Sequence, residues 1–529
     1  MIFSMKMIRL WILFLSTINL CQASPWDNLT ANIAVIEYQP FVDKRLTEEQ
    51  IVLENTKKYL EIIKTLVKTE NFDMIIFPES TLKTSPKTSV EIHIMDNPCD
   101  SLTYPEFMKN LSCTARNSNT YLVINLVEKV KCDRTTCKNS GFFFYNTDVI
   151  IDRTGKITNT YHKYNLFGEH DLDKPKVEKV IIHTDFGVKF GIFTCFDILF
   201  KSPALDLVEE DIDGVIFPSN WYSELPFLTS LQTQQMWAYN YDVLFFGAGG
   251  NYPKVGTGGS GIYNASRGTI SQGYVAKGGS HIFAFRSKNG QVLVPPEPNI
   301  DILAKEMDEF YLATDSSIPS FSSTVLNVDN KTDFETHICH TNSETKSELC
   351  CNFTIQISTK QHNSIFFYTY HLVAFTGVRS FRGQYNGGTE ICGIIACLNS
   401  SLSSCGLRFP KYEDIEWPVT FENIQIAAKF DKSGNRTQFP NSLLSSIRPV
   451  NASETVWIKN EVVENGQEVV ERTFALKKAQ NRILTFAIYG RNFEQDSPPS
   501  GGAGERAPML GHLIVVGVFV LTVVSIRYF

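Results

Sequence analysis

The sequence predicts an α/β domain over about residues 30–310, followed by a smaller β-rich domain held by disulfides over about residues 320–490. Before residue 310, short apolar runs alternate with amphipathic stretches, as expected of a layered domain whose strands are buried on both faces. After that point the segments become polar and β-like, and six cysteines lie among them. This change in the hydrophobic pattern marks the boundary between the two domains.

Hydrophobic periodicity predicts the individual elements. The segment 47–67 carries apolar residues at near-helical spacing, including Tyr59, Ile63 and Leu66, and is predicted to be a helix. Apolar runs predict strands in the first domain at 31–38, 72–79, 121–130, 142–152, 189–196, 213–220 and 242–249. In the second domain, strand-like segments occupy 353–359, 365–375 and 471–478.

The amino terminus has the organisation of a cleaved secretory signal. Lys6 and Arg9 precede an apolar run, and the small residues Ala23 and Ser24 follow it. We therefore expect residues 1–23 to be a signal peptide.

The carboxyl terminus predicts a glycolipid (GPI) anchor. A Ser/Pro/Gly-containing stem over 491–500 precedes a short polar spacer and an apolar tail at 510–526. This order is typical of an attachment signal, with Ser500 as the expected attachment site and 501–529 as the removed propeptide. An ordinary membrane span is the alternative, although the tail is shorter than the roughly 20 residues that a span needs. We expect the protein to lie at the extracellular face of the cell membrane, anchored in the outer leaflet. We also expect a form that is shed or secreted.

The expected surface location is supported by N-x-S/T glycosylation sequons. Eight of them lack proline in the middle, which favours a glycosylated surface protein. They begin at Asn28, Asn110, Asn264, Asn330, Asn352, Asn399, Asn435 and Asn451. The net charge is −7 and the chain has no basic block, which argues against nucleic acid as a partner.

The cysteine count singles out Cys195. Of twelve cysteines, Cys21 lies in the signal peptide, and the remaining odd number leaves one thiol without an intrachain partner. The others form two even groups, from which we expect disulfides within each domain: Cys99, Cys113, Cys132 and Cys137; and Cys339, Cys350, Cys351, Cys392, Cys397 and Cys405. Parity leaves open whether Cys195 is a nucleophile, an inert core residue or part of an unexpected bridge.

Three groups of different chemistry stand at or near the ends of predicted elements in the first domain. Glu79 closes IIFPE, Lys163 lies in YHKYNLFGE, and Cys195 ends GIFTC. Such groups could converge on one pocket, although strand-end glutamates and loop lysines are usually solvated.

These stretches resemble the carbon–nitrogen hydrolase (nitrilase) superfamily, and specifically its vanin and biotinidase branch. The resemblance rests on IIFPES, YHKYNLFGE and KFGIFTCFDILF, with FPSNWYSELPFL and GGSGIYN further along. It implies an αββα sandwich for residues 30–310, a vanin-type second domain, and a catalytic set of Glu79, Lys163 and Cys195.

The resemblance also assigns roles. Cys195 would be the nucleophile and Glu79 the proton acceptor, while Lys163 and the backbone N–H of Phe196 would stabilise the oxyanion. Glu169 matches a second glutamate of the superfamily, and a solvated loop carboxylate is its alternative. By the same resemblance, Asn220 and Trp221 are expected to line the substrate pocket.

The expected function is hydrolysis of a linear amide through a cysteine thioester, with pantetheine as the small-molecule substrate. A biotinidase-like amidase and a catalytically inactive cell-surface recognition protein are the alternatives. No cofactor is expected. The Cys132 and Cys137 pair lacks a second ligand pair for a metal, and the glycine-rich segment 247–261 lacks the Lys-Ser/Thr ending of a nucleotide-binding loop.

Overall fold

The computed structural model describes residues 30–133, 141–288, 291–296, 298–328, 332–464 and 466–498. Several expectations fall outside these residues. They concern the signal peptide, the end of the stem, the anchor propeptide, Cys21, Cys137, Asn28, Asn330 and Ser500.

The first domain contains two stacked sheets. One has seven strands, which are β1 (Ala31–Glu37), β2 (Met74–Ile76), β3 (Tyr121–Lys131), β4 (Phe142–Ile151), β5 (Ile157–His162), β13 (His281–Lys288) and β14 (Gln291–Val292). Their spatial order is β14-β13-β1-β2-β3-β4-β5, in which β1, β2 and β3 are parallel. The other has six strands, which are β6 (Ile181–His183), β7 (Lys189–Ile192), β8 (Gly214–Ser219), β10 (Leu244–Gly249), β11 (Ser260–Asn264) and β12 (Gly268–Gly273). Their order is β12-β11-β10-β8-β7-β6, with β7, β8 and β10 parallel.

Helices cover the outer faces of both sheets, which gives the αββα sandwich implied by the resemblance. They are α1 (Glu48–Thr69) and α2 (Glu106–Ser118) on the seven-stranded sheet and α3 (Ser230–Tyr241) on the six-stranded sheet. A further short helix, α4 (Ile300–Glu306), contacts the 3₁₀ segments Met307–Glu309 and Tyr412–Asp414. In β1, Ile33 and Val35 point into the core between the sheets, whereas Ala34 and Ile36 point into the core beneath α1 and α2. A strand buried on both faces reads as a continuous apolar run, and for this reason the sequence revealed it.

The second domain is a β-sandwich of two five-stranded sheets. Its strands are β16 (Ser322–Val325), β17 (Asp333–Thr341), β18 (Glu348–Thr359), β19 (Thr369–Phe381), β20 (Tyr385–Cys397), β21 (Val419–Asp431), β22 (Arg436–Leu444), β23 (Thr455–Glu464), β24 (Gln467–Leu476) and β25 (Ile483–Ser497). The two orders are β16-β19-β20-β25-β22 and β17-β18-β21-β24-β23. A short parallel pair, β9 (Glu224–Leu225) with β15 (Ala313–Thr314), joins this domain's leading segment to the first domain.

Helix α3 lies between the two domains. Its sequence, SLQTQQMWAYNY, shows little amphipathicity because nearly every residue is buried, against the six-stranded sheet on one side and the second domain on the other. Its amide side chains bond across the interface: Gln232 Nε2 donates to Asn441 Oδ1 at 2.7 Å, and Gln235 Nε2 donates to the Val450 carbonyl at 2.6 Å. Sequence periodicity did not identify this helix, since a helix buried on both sides has no polar face.

Several predicted boundaries are wrong. The strand expected at 72–79 is confined to Met74–Ile76, and that at 189–196 ends at Ile192. The residues after Ile192 leave the sheet because a short 3₁₀ helix, Cys195–Leu199, begins there. The segment 365–375 joins a strand only from Thr369. The stem expected at 491–500 overlaps β25, which continues to Ser497 because its residues pair with β20 and β22.

Each disulfide in the described residues joins two cysteines of the same domain, as expected. They are Cys99–Cys113, Cys339–Cys350, Cys351–Cys392 and Cys397–Cys405. Cys132 is also disulfide-bonded, and its predicted pairing with the undescribed Cys137 stays a prediction. Among the described cysteines, Cys195 is free and buried.

The asparagines of the six described sequons are all at least partly accessible to solvent. Asn352 and Asn399 are exposed, and the other four are half-buried. Within the described ranges, no helix is both long and apolar enough to span a membrane.

Candidate active site

Glu79 and Lys163 form a buried ion pair, although the strands that they follow are separated in the sheet by β3 and β4. Glu79 follows β2 and Lys163 follows β5, and each side chain is at most 3% exposed. Lys163 Nζ donates to Glu79 Oε1 at 2.8 Å. Two groups that sequence reasoning had to treat as separate are therefore in direct contact.

Glu169 completes this arrangement. Its Oε1 accepts from Lys163 Nζ at 2.6 Å, so the ammonium lies between two carboxylates. Asn146, on β4, reinforces the same geometry, because its Nδ2 donates to Glu79 Oε1 at 2.8 Å and to Glu169 Oε1 at 2.9 Å. The alternative of a solvated loop carboxylate for Glu169 does not fit these bonds.

Cys195 occupies a sharp turn at the start of the 3₁₀ helix. Its φ is +49°, a left-handed conformation that costs a non-glycine residue about 1–3 kcal/mol. Thr194 caps the helix, and its backbone N–H donates to Asp197 Oδ2 at 3.1 Å. As the second residue of the helix, Phe196 has no acceptor for its backbone N–H within the helix.

A buried network of polar side chains supports the turn. Asp148 accepts from the Thr194 hydroxyl through Oδ2 and from Asn125 Nδ2 through Oδ1 at 2.8 Å. Asn125 Nδ2 also donates to Asn146 Oδ1 at 2.7 Å. The residue before the nucleophile candidate is thus tied by hydrogen bonds to the residue that holds both glutamates.

Asn220 links Glu79 to Cys195 through its backbone. Its N–H donates to Glu79 Oε2 at 2.9 Å, and its backbone also lowers the pKa of the Cys195 thiol, against the larger raising effect of burial. Behind it, Gly250 passes so close that a Cβ there would lie 3.0 Å from Asn220 Oδ1. Asn220 therefore contributes a main-chain donor to Glu79, and it is not among the residues that line the pocket beside Cys195, where it was expected.

The electrostatics define a neutral thiol beside a fixed cation. Burial raises the pKa of the Cys195 thiol well above its ordinary value, the Glu79 charge raises it further, and Lys163 opposes both. Burial alone would lower the pKa of Lys163, but Glu169 and Glu79 outweigh it and hold the pKa well above its usual range. Burial raises the pKa of Glu79, which brings a carboxyl closer to the range of a general base at neutral pH.

The thiol opens into a pocket whose walls come from both domains. Trp221 lines it, as expected, and is held by a 2.9 Å bond from its Nε1 to the Leu228 carbonyl. Phe381 and Arg382 of the second domain line it as well.

Two clusters within the described residues have side chains of the kinds that bind metals. In both clusters the cysteines are joined in a disulfide: His371 with Cys397 and Cys405, and Glu348 with Cys339 and Cys350.

Sequence reasoning missed Asn125, Asn146 and Asp148, although each is a polar residue inside an apolar strand. That contrast was the available signal, since a buried polar group must be hydrogen-bonded to persist. It also missed Phe381 and Arg382, for which no local signal exists because their role depends on how the domains pack.

The fold and this site define a carbon–nitrogen hydrolase. The family model for carbon–nitrogen hydrolases matches residues 32–245, and that for the vanin C-terminal domain matches residues 310–496. Vanin-like protein 1 of Drosophila melanogaster is 33% identical over 86% of this chain and 85% of its own length. The pantetheinases of Sus scrofa and Homo sapiens are each 30% identical, over 79% and 75% of this chain and 76% and 73% of their own lengths. Among solved structures, Nit3 of Saccharomyces cerevisiae, a member of the nitrilase superfamily, matches half of this chain and 91% of its own length at 18% identity with a TM-score of 0.38.

The chain belongs to the vanin family, and it is an amide-cleaving hydrolase.

Proposed function

We propose that the protein hydrolyses the linear amide of pantetheine, releasing pantothenate and cysteamine, with Cys195 as the nucleophile. The observation that carries this proposal is the buried contact of Lys163 with Glu79 and Glu169 beside the free thiol of Cys195. The pantetheinases among the relatives give the substrate.

In the acylation half, Glu79 takes the thiol proton as the sulfur attacks the amide carbonyl. A base is required because the buried thiol is neutral at pH 7. The carbonyl oxygen becomes negative and is stabilised by the Lys163 ammonium and the Phe196 N–H. Glu79 then gives its proton to the departing amine, and the C–N bond breaks to leave a thioester on Cys195.

In the deacylation half, Glu79 is ionised again and accepts a proton from water. The hydroxide adds to the thioester carbonyl, and the tetrahedral intermediate collapses with release of the carboxylic acid. The thiolate recovers its proton from Glu79. Glu169 keeps Lys163 in place through both halves, because the ammonium contacts both carboxylates.

The cellular setting forms part of the proposal. The mature chain begins near residue 24 and is attached through Ser500 to a glycolipid after removal of 501–529. Phosphatidylinositol-specific phospholipase C should release it from cells. Retention, with residues 510–529 recovered in the mature protein, would contradict the anchor.

The substrate is tested by kcat/KM for pantetheine and for biotinyl-lysine on one purified ectodomain. We expect pantetheine to be preferred, and Cys195→Ala, Glu79→Gln and Lys163→Met each to lose about 10² in kcat or more. Glu178→Gln is the matched control. Glu178 is a nearby carboxylate, but its hydrogen-bond partner is His162 and not Lys163. Equal or faster cleavage of biotinyl-lysine would contradict the assignment. Absence of cleavage of both amides, with Cys195 still reactive, would contradict pantetheine as the substrate and leave only the amidase class.

A further inference from the structure

The second domain supplies part of the wall of the active-site pocket. Phe167, Phe196, Trp221 and Leu228 of the first domain line the cavity beside Cys195, and Phe381 and Arg382 complete it. The last two lie at the tip of the hairpin formed by β19 and β20, which approaches the thiol from the second domain. The vanin C-terminal domain is therefore part of the substrate site.

Two buried arginines hold the hairpin tip in place. Arg379 pairs with Asp315 at 2.7 Å and with Glu224, which itself lines the pocket. Arg491 Nε donates to the Leu199 carbonyl, in the 3₁₀ helix that starts at Cys195, at 2.9 Å, and Arg491 also pairs with Asp496 at 2.8 Å.

Aromatic packing fixes the same hairpin to the nucleophile helix. The ring of Phe381 meets that of Phe196 edge-on at 5.7 Å, and Tyr385 meets Phe200 at 5.0 Å. Both contacts are within the range in which aromatic pairs attract. These contacts fix the position of the hairpin tip relative to Cys195.

Arg382 differs from these two arginines because it is exposed and unpaired. None of the carboxylates in the described ranges lies within ion-pair distance of it, and its guanidinium lies 5.3 Å from the Tyr222 ring centroid, at the pocket. Its φ is +52°, next to Gly383 at +73°, in a turn closed by a 3.0 Å bond from Gln384 N–H to the Phe381 carbonyl. Glycine would occupy position 382 without strain, so arginine there carries a local backbone cost.

We propose that Arg382 is a specificity-determining residue, which donates hydrogen bonds to hydroxyl or carbonyl oxygens in the acyl half of the substrate. This inference rests on the proposed function. A guanidinium offers five donors in a planar fork and no acceptor. The pocket around it is mostly aromatic and aliphatic, and the Glu224 carboxylate in its wall is paired with Arg379. The acyl half of pantetheine carries hydroxyl and carbonyl oxygens beyond the scissile amide, which are acceptors of this kind. Stacking on Tyr222 holds the guanidinium at the pocket before the substrate arrives.

The test compares two amides on the wild type, Arg382→Ala, Arg382→Gly and Arg382→Lys. One amide is pantetheine, and the other is N-propanoyl-cysteamine, which keeps the scissile amide and the leaving group but lacks both the hydroxyl groups and the second carbonyl of the acyl half. For pantetheine, we expect Arg382→Ala and Arg382→Gly to raise KM about tenfold, the loss of roughly one hydrogen bond to a charged group, with kcat nearly unchanged. Arg382→Lys should recover part of this loss. The truncated amide should respond less than about twofold to any of the three.

Lys346→Ala is the matched control. Lys346 is an exposed cation with φ of +60° in another hairpin turn of the same domain, and it does not line the pocket. A KM for pantetheine that stays within twofold in Arg382→Ala, or equal losses for both amides, would overturn the inference. Failure of the proposed function is distinguishable, because the wild type would then not cleave pantetheine at all.

Discussion

Removal of the charge on Glu169 should shift the acid limb of the pH–rate profile to lower pH. Glu79 must be ionised to act as a base. Burial is the main cause that raises the pKa of Glu79, and the neighbouring Glu169 carboxylate raises it further. The variant Glu169→Gln removes this charge but keeps the size of the side chain. Glu79 should then release its proton more readily, and activity should persist to lower pH.

The size of the effect follows from the geometry. Glu79 Oε1 and Glu169 Oε1 contact Lys163 Nζ at 2.8 and 2.6 Å, so the two oxygens lie no more than 5.4 Å apart, the sum of these distances. At an effective dielectric constant of about 20, two like charges at this separation repel by about 3 kcal/mol. Relaxation reduces this value, and we expect the acid limb of kcat/KM to move down by about one to two pH units.

The plateau of activity should fall at the same time, by about tenfold. In Glu169→Gln the new side chain can still accept from Lys163 through its amide oxygen, but it offers only one acceptor oxygen where Glu169 serves Lys163, Asn146 and the Phe167 N–H. The assay is kcat/KM for pantetheine over the range from acid to mildly alkaline pH, with thermal unfolding as the measure of folding. Glu178→Gln should leave the acid limb in place. An acid limb that is unchanged or moves to higher pH in Glu169→Gln would refute this account of the site.

Further predictions concern the thiol, a disulfide and a partly buried histidine. Iodoacetamide on the native protein should modify Cys195 alone and abolish activity, and peptide mapping that finds the adduct mainly elsewhere would contradict the assignment. The Cys351–Cys392 bridge joins β18 of one sheet to β20 of the other across 41 residues, so replacing both cysteines by alanine should lower the free energy of unfolding by about 4 kcal/mol in denaturant titrations. A change below about 1 kcal/mol would show that packing alone holds the sheets together. Burial lowers the pKa of His162, but Glu128 and Glu178 outweigh it and raise the pKa to about 9. The stabilisation by protonated His162 should be complete below its unfolded pKa of about 6.5 and lost as the pH rises through about 9, so the stability gap between the wild type and His162→Gln should be wider at about pH 6 than at about pH 10. An equal gap would exclude this titration.

Much of the fold was accessible from local pattern. Strands such as β1 and β3 are buried on both faces, and their continuous apolar runs stand out from the polar segments around them. Helix α1 is indicated by the spacing of its apolar residues and by Thr47, whose side chain caps the helix together with Gln50. Helix α3 gave no such signal, because polar residues buried on all sides satisfy their hydrogen bonds only with partners distant in sequence, such as Asn441.

The sequence by itself singled out the candidate residues for the chemistry. The count of cysteines isolated Cys195, and the motifs around Glu79 and Lys163 indicated the reaction class, because both depend on residue identity and short spacing. Tertiary structure decided the rest. It brought Lys163 into contact with Glu79, 84 residues away in the chain, and with Glu169, 6 residues away. It also placed Phe381 and Arg382 of the second domain in the wall of the pocket beside the thiol. The physical reason is that a pocket's walls and a buried ion's neighbours are set by packing between distant elements, and no local propensity records that packing.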